Sequence, residues 1–487
     1  MSLEVETILF IPLIAAALSL IAPGKTGALI STVCSALVLF FAAPVCYDAF
    51  TGTVTQYSFW YIDGLSALFL IITTVVWLMA SLYSYRYIRT DIEEGAVNSK
   101  DERFYYMMLN LFVVAMFSAV VVSSVGILWI AIETTTLVSA FLVGFYNKES
   151  STEAAWKYLM ICSVGITLAL VGIMLVYASS IHILGEDPGA LDWINLYGAA
   201  AELDPTLLKM AFVFIIIGFG TKMGLVPMHT WLPDAHSQSP TPISAMLSAA
   251  LLNCALYALL RFEMITEIAI PDFASYLMIG FGLLSLAVAA ALIIISKDLK
   301  RMLAYSSIEH MGLIAIGFGI GSPLAVFGAL FAIIAHSMTK PLVFFAAGNA
   351  IQAYGTREMS DIKGMRSKMP FTAFMLTAGA LAIAGLPPFS VFVGEITILG
   401  GAVGDGMYAV AGLTAVLLVI VSAGFIRNIF LMMSGDSVKE AKDPKGISRS
   451  VPMILLLATT LLLGLFMPEQ MNDALWSIAD WFTGGIL

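Results

Sequence analysis

Lys222-Met-Gly-Leu-Val-Pro-Met-His-Thr-Trp-Leu-Pro-Asp-Ala-His236 is the stretch on which the fold turns. It continues an apolar run that begins near Thr206, so a helix leads into it. Gly224 and Pro227 interrupt that helix in mid-run. A lysine stands just before the interruption, and His229, Asp234 and His236 follow it.

The surroundings say what solvent this run meets. The chain has 487 residues, of which 60% are hydrophobic and 11% charged. A soluble domain needs about a quarter of its residues charged to cover its surface. That surface is missing, so the solvent is lipid. Apolar runs of about 20 residues, enough to span a bilayer, follow one another along the whole length. The pattern predicts an all-α polytopic membrane protein with fourteen spans. These are 7–22, 28–47, 65–85, 105–123, 126–146, 154–183, 206–236, 240–262, 273–296, 302–320, 324–350, 371–400, 406–430 and 451–467. A single membrane domain over 1–487 is expected, divided as 1–104, 105–263, 264–434 and 435–487. Residues 468–487 are amphipathic, with Trp476, Ile478, Trp481 and Phe482, and read as an interfacial helix.

Charge sets the orientation. Nineteen of the 23 Lys and Arg residues fall in loops after odd-numbered spans, from Lys25 through Arg86, Lys148, Lys297, Lys300 and Arg357 to Lys439 and Arg449. Lys209 and Arg261 fall on the other face, near span ends, where they can snorkel to water. Acidic residues gather on that face, among them Glu186, Asp187, Glu263 and Glu267. Both termini are therefore expected outside. The start of the chain has no basic n-region, so no cleaved signal is expected. The formal charge of −10 matters less than this distribution, and no nucleic-acid partner is expected.

A second interrupted helix lies 161 residues on, at Gly385-Leu-Pro-Pro388-Phe. Shifting spans 4–8 by that offset lays them on spans 9–13. Five is an odd number, so the second copy must be inverted in the membrane. Inverted repeats with helices broken at matching places point to a transport path. The bland reading is a chance recurrence of Gly-x-x-Pro in a Gly-rich apolar chain.

Two lysines remain after the loop count, Lys222 and Lys340, both deep in spans. A lysine at mid-bilayer costs about 2.5–3.5 kcal/mol on insertion scales, so its default reading is functional. Glu133 in span 5 and Glu395 in span 12 match them. Span 10 adds Glu309 and His310. Span 11 adds His336, one turn before Lys340 and on the same face. Changing the charge of a neighbouring carboxylate switches a buried lysine between holding and releasing its proton. A row of such groups is a proton relay. Each has a plain alternative: Glu133 with Lys222, and Lys340 with Glu395, as static pairs locking helices, His336 as a carbonyl-bonded neutral ring. His229, Asp234 and His236 either feed protons inward or cap the broken helix. Lys157 follows Glu153 at the spacing of a helix-surface ion pair, and Asp63 reads as a helix cap. The breaks at Gly224/Pro227 and Pro387/Pro388 are expected to free carbonyls that hold water.

Absences narrow the choice. The sequence has no Walker loop, no dinucleotide glycine pattern, no cysteine framework and no histidine ladder for haem. Cys34, Cys46, Cys162 and Cys254 lie in apolar runs and read as core residues. No metal site and no cofactor are expected in this chain, and driving force must come from a second ion gradient or from a partner.

The Lys222–His236 stretch, Ser239-Pro-Thr-Pro-Ile-Ser-Ala245, Lys300-Arg-Met-Leu-Ala-Tyr-Ser-Ser307 and Phe392-Val-Gly-Glu-Ile396 resemble a known family. It is that of the antiporter-like subunits shared by respiratory complex I, Mrp-type cation/proton antiporters and membrane-bound energy-converting hydrogenases. The resemblance implies fourteen helices with inverted five-helix repeats. It implies Glu133 as the span-5 glutamate pairing with Lys222, Lys340 as the central-axis lysine and Glu395 as the exit-side group. Many relatives carry a lysine in span 8, where this chain has Leu251-Leu252-Asn253. Asn253 cannot carry a proton as a charge, so the link between halves must run through water or His336. Ser306–Gly312 looks like the hydrogenase-4 and formate-hydrogenlyase branch.

The expectation is a proton-translocating subunit driven by a separate redox module with Fe–S clusters and a [NiFe]-hydrogenase-like or quinone-reducing part. It is expected in the cytoplasmic membrane of a prokaryote, among other membrane subunits. The alternatives are a subunit of a Na+/H+ antiporter without a redox partner, and a structural membrane anchor.

Overall fold

Lipid offers no hydrogen bonds, so each apolar run must pair its own backbone as a helix. The structure is a computed structural model and describes all residues except 1, 23, 58, 186, 436–439 and 485–487. Glu186 and Lys439, counted above in the charge pattern, and the last three residues of the chain lie outside the described residues. In chain order the principal helices are α1 (Ser2–Ile21), α2 (Gly24–Phe50), α3 (Gly64–Glu93), α4 (Asp101–Val121), α5 (Val125–Val143) and α6 (Glu149–Leu184). The first broken span is α7 (Pro205–Met223) and α8 (Trp231–Gln238). Next come α9 (Thr241–Ala269), α10 (Phe273–Ile295), α11 (Leu299–Ile320) and α12 (Pro323–Tyr354). The second broken span is α13 (Pro370–Ile383) and α14 (Ser390–Gly404), followed by α15 (Tyr408–Met433), α16 (Ile447–Leu465) and α17 (Glu469–Phe482).

Among the described residues thirteen helices, with α7 and α8 taken as one, are long and apolar enough to cross a membrane, and α13 and α14 are two shorter apolar helices where the twelfth span was read. The all-α polytopic reading stands, with thirteen long spans against the fourteen expected. A two-strand antiparallel hairpin, Thr55–Tyr57 with Trp60–Ile62, precedes α3 and was not foreseen. Asp63 caps α3, accepting from the Ser66 amide at 2.8 Å.

Helices α9, α11 and α12 form the sealed centre, while α1, α2, α15 and α16 present exposed apolar faces. Small residues allow the closest approaches. A methyl on Gly282 would meet the Gly312 carbonyl at 2.6 Å, so α10 and α11 touch backbone to backbone. The centre also carries an irregularity: Leu247–Leu251 of α9 is a π turn, one residue wider than α. Such turns offset side chains and free a carbonyl, and His336 Nε2 lies 3.3 Å from the Ser248 carbonyl there.

Three expectations change. Arg261 does not snorkel. It is fully buried and forks onto Asp63 at 2.8 and 2.9 Å, because a guanidinium can be neutralised in place by a matching carboxylate. At both breaks, carbonyls expected to be free for water are taken up inside the protein. Gly220 and Thr221 carbonyls accept from the Leu225 amide and Trp231 Nε1, both at 2.8 Å, and the Ala384 carbonyl accepts from Ser422 Oγ at 2.8 Å. A buried backbone group needs a partner, and the fold supplies it. Asp234 is not in the interior row: it joins Lys157 and Arg301 as a surface clasp. The Lys157–Glu153 pair forms as read, at 2.6 Å.

The amphipathic tail is α17, folded back on the protein. Trp476 stacks on Phe327 and Trp481 packs edge-on against Trp193.

Candidate functional site

Lys222 is the penultimate residue of α7, where the left-handed Gly224 (φ 86°) ends the helix. Its ammonium group is fully buried. It donates to Thr136 Oγ1 of α5 at 2.8 Å and to Tyr158 OH of α6 at 2.6 Å. Glu133 is not in direct contact, as the sequence reading had it. Its Oε1 accepts from Ser163 at 2.7 Å and its Oε2 from Thr136 at 3.3 Å. One hydroxyl therefore stands between carboxylate and ammonium. Direct pairing would need closer helices, whereas Thr136 accepts from one ion and donates to the other. Tyr158 OH also shares a hydrogen bond with Ser139 at 2.6 Å.

Further in, Asn253 Nδ2 donates to Ser337 Oγ at 2.8 Å, and Ser248 and Ser307 share a hydrogen bond at 2.8 Å. No protein hydrogen bond among the described residues joins Lys222 to this cluster. The rings of His336 and His310 lie 5.1 Å apart, centre to centre. Lys340 donates to Ser306 Oγ at 2.6 Å and to the Leu303 carbonyl at 3.0 Å, so α12 reads α11 with both His336 and Lys340. His310 Nδ1 lies 2.7 Å from the Ser306 carbonyl and 2.6 Å from Glu309 Oε2. Glu395 of α14, just past the second break, completes this end of the row.

His236 is fully buried against Phe344, with ring centres 5.1 Å apart, and neither ring nitrogen has a protein partner. Ser244 Oγ donates to the His236 carbonyl at 3.0 Å and shares a hydrogen bond with Ser239. Lys300 donates to the Ser239 carbonyl at 2.6 Å and is almost wholly buried, although the charge pattern had placed it in a loop. A cavity of about 480 Å³ reaches Lys300 and Ser239, with Asp91, Lys148, Asp298 and Arg357 in its walls. His229 is half-buried in the turn of the first break, away from the row.

Thr136, Tyr158, Ser306 and Lys300 are the functional candidates that the sequence reading missed. Thr136 had a signal, since it follows Glu133 by three residues on one helix face. The arrangement can pass a proton over short steps between hydroxyl, imidazole, ammonium and carboxylate groups. Several members have no protein partner for a polar atom: Glu309 Oε1, His310 Nε2, His336 Nδ1 and Asn253 Oδ1. Buried polar atoms are mostly satisfied within a protein, so these four keep capacity for a water or a proton.

Comparison with known proteins agrees in kind. Residues 122–422 match the family model described as "NADH:quinone oxidoreductase/Mrp antiporter, TM". The hydrogenase-4 component F homolog of Methylacidiphilum infernorum is 39% identical over 429 residues, 87% of this chain and 87% of that protein. NADH-quinone oxidoreductase subunit N of Desulforudis audaxviator is 28% identical over 86% of this chain and 84% of its own length. Among solved structures, an archaeal membrane-bound sulfane sulfur reductase superposes with a TM-score of 0.87 at 23% identity, covering 99% of both chains. The Mrp complex of Dietzia sp. gives 0.86 at 19% identity, covering 99% of this chain and 98% of that one. At those identities the superpositions bear on the fold alone.

Proposed function

The chain belongs to the NADH:quinone oxidoreductase/Mrp antiporter family of multi-pass membrane subunits, and from that premise we propose that it translocates protons within a redox-driven complex. The observation that carries the reading is the pair of fully buried lysines, each held by a hydroxyl rather than by a carboxylate. A lysine locked to a carboxylate stays charged. One held by hydroxyls has a partner in either protonation state, since a hydroxyl both donates and accepts.

Glu133 and Lys222 gate the first half. A negative Glu133 attracts the Lys222 ammonium through Thr136, and neutralising Glu133 weakens that hold. His336, Lys340 and Glu395 carry the second half, with Glu309 and His310 beside them. Asn253 takes no charge, so the halves communicate through water and the hydroxyls of Ser248, Ser307 and Ser337. The cavity at Lys300 and the buried His236 favour entry from the inner side. The chain itself binds no cofactor and transfers no electrons in this reading. Fe–S clusters and a [NiFe] or quinone site belong to partner subunits, in the cytoplasmic membrane of a prokaryote, with both termini outside.

Purification separates this from the Na+/H+ antiporter reading. The intact complex is expected to carry iron, and nickel if the redox module is hydrogenase-like. A complex that exchanges Na+ for H+ and contains neither metal would replace the reading. Within the relay, Thr136→Val keeps both ions and removes the hydroxyl between them. Proton translocation is expected to fall about tenfold, the effect of losing roughly 1.4 kcal/mol of positioning. Retained rates in vesicles would show that Thr136 is a spectator.

A further inference from the structure

Where α11 faces α14, three side chains form a group whose occupant the relay reading leaves unnamed. Glu309, His310 and Glu395 each bring a donor-type atom within 4.8 Å of the other two, and all three are buried. Glu309 is fully enclosed, yet neither of its oxygens accepts a hydrogen bond, and His310 Nε2 is also without a partner. Glu309 Oε2 approaches His310 Nδ1 to 2.6 Å without the alignment of a hydrogen bond. Glu395 reaches the group because residue 385 is glycine: a methyl there would collide with its carboxylate. The other ionisable groups facing this point are Lys340 and His336 of α12, with His236 beyond them. Lys340 is already held by Ser306 and the Leu303 carbonyl.

Two bare carboxylates so close, away from water, repel each other strongly. They need a positive occupant between them, and the chemistry separates three kinds. A transition metal would take the imidazole lone pair as well as the carboxylates. But Nδ1 points at the Ser306 carbonyl, which can only accept, so Nδ1 carries its hydrogen and has no lone pair to offer. An alkali cation wants a shell of oxygens, and here an N–H closes one side. A proton needs only two oxygens.

We propose that Glu309 and Glu395 share a single proton, forming a two-carboxyl store at the Glu395 end of the row that His310 loads. A proton arrives at His310 Nε2, the free lone pair. The doubly protonated ring then turns its Nδ1 hydrogen from the Ser306 carbonyl to Glu309 Oε2, 2.6 Å away, gives that hydrogen up and ends neutral. The store then holds one proton and one negative charge between its carboxyls. The inference rests on the relay reading and deepens it: it makes this half selective for protons over alkali ions, and it turns Glu309 from a neighbour into a carrier.

Infrared difference spectroscopy on the intact complex in lipid, without turnover, tests this. One protonated-carboxyl band that shifts in D2O is expected. Its frequency disappears in Glu309→Gln and equally in Glu395→Gln, replaced by that of an isolated neutral carboxyl, because burial keeps the remaining group protonated and only the sharing is lost. It disappears also in Gly385→Ala, which keeps both carboxyls and pushes them apart. Co-purification of partner subunits verifies that each variant is assembled. A band that survives unshifted in either single Gln variant, or its absence from the unmodified protein, overturns the sharing. So does stoichiometric binding of 22Na+, or of Zn2+, that both Gln variants abolish. Lys222→Met keeps the band in any case. The band therefore reports on the carboxyl pair, and proton pumping by Lys222→Met reports separately on the relay.

Discussion

Replacing Lys222 with methionine is expected to lower proton translocation by the reconstituted complex by roughly 10²-fold or more, the contribution of a positioned proton-transfer group. The complex should still assemble. The reason lies in the neighbours. Methionine fills the lysine's volume without a charge, and Lys222 has no directly paired carboxylate to orphan. Tyr158 keeps its hydrogen bond with Ser139, and Thr136 keeps Glu133. Stability therefore changes little while the proposed proton carrier is gone. Vesicles with a pH-sensitive dye, energised through the redox partner, give the rate. The structural-anchor reading demands the opposite pair of results: unchanged pumping, with any defect confined to assembly. Lys340→Met is the companion case on the other half, and its hydroxyl partner Ser306 is likewise left satisfied, through the Leu303 carbonyl.

What the sequence disclosed follows from what is costly in lipid. Lys222, Lys340, Glu133 and Glu395 stand out because an ion at mid-bilayer is rare and has to have a reason. The breaks stand out because Gly and Pro interrupt a helix whatever surrounds it. The long spans were legible for the same reason, since apolar length and loop charge are local properties. The hydroxyls that hold the lysines were not. Serines and threonines are common in membrane helices, and most here bond their own preceding turn, as Thr73, Thr74, Ser337 and Thr339 do. Residue type cannot tell Thr136 or Ser306 from these; only the approach of another helix does. Lys300 was misread because position near a span end says nothing of whether a neighbouring loop covers it. Arg261 was misread because its partner, Asp63, lies 198 residues earlier in the chain.

That last pair gives the largest expected effect on stability. Arg261→Met leaves the Asp63 carboxylate buried without its guanidinium, and breaking a buried pair from one side costs about 3–5 kcal/mol. The guanidinium also lies 3.9 Å from the centre of the Trp193 ring and 5.7 Å from that of Trp481, so the docking of α17 depends on it too. Thermal unfolding in detergent should show the drop, and Asp63→Asn combined with Arg261→Met should restore much of it by removing the stranded charge. The pH dependence makes the cause visible. Burial by itself would raise the Asp63 carboxyl, but Arg261 and the Ser66 amide hold it below the usual carboxylate range. A carboxyl lowered on folding stabilises above its unfolded pKa, about 3.9, and loses that contribution as pH falls through the folded value. The native protein should therefore show no Asp63-linked change from pH 5 to 8. In Arg261→Met the burial effect stands against Ser66 alone and the carboxyl moves up. Stability should then decline as pH rises from about 4 toward neutrality, with Asp63→Asn abolishing the slope. A flat profile in the single variant would mean that Asp63 reaches water once its partner is gone, and that the pair is not sealed.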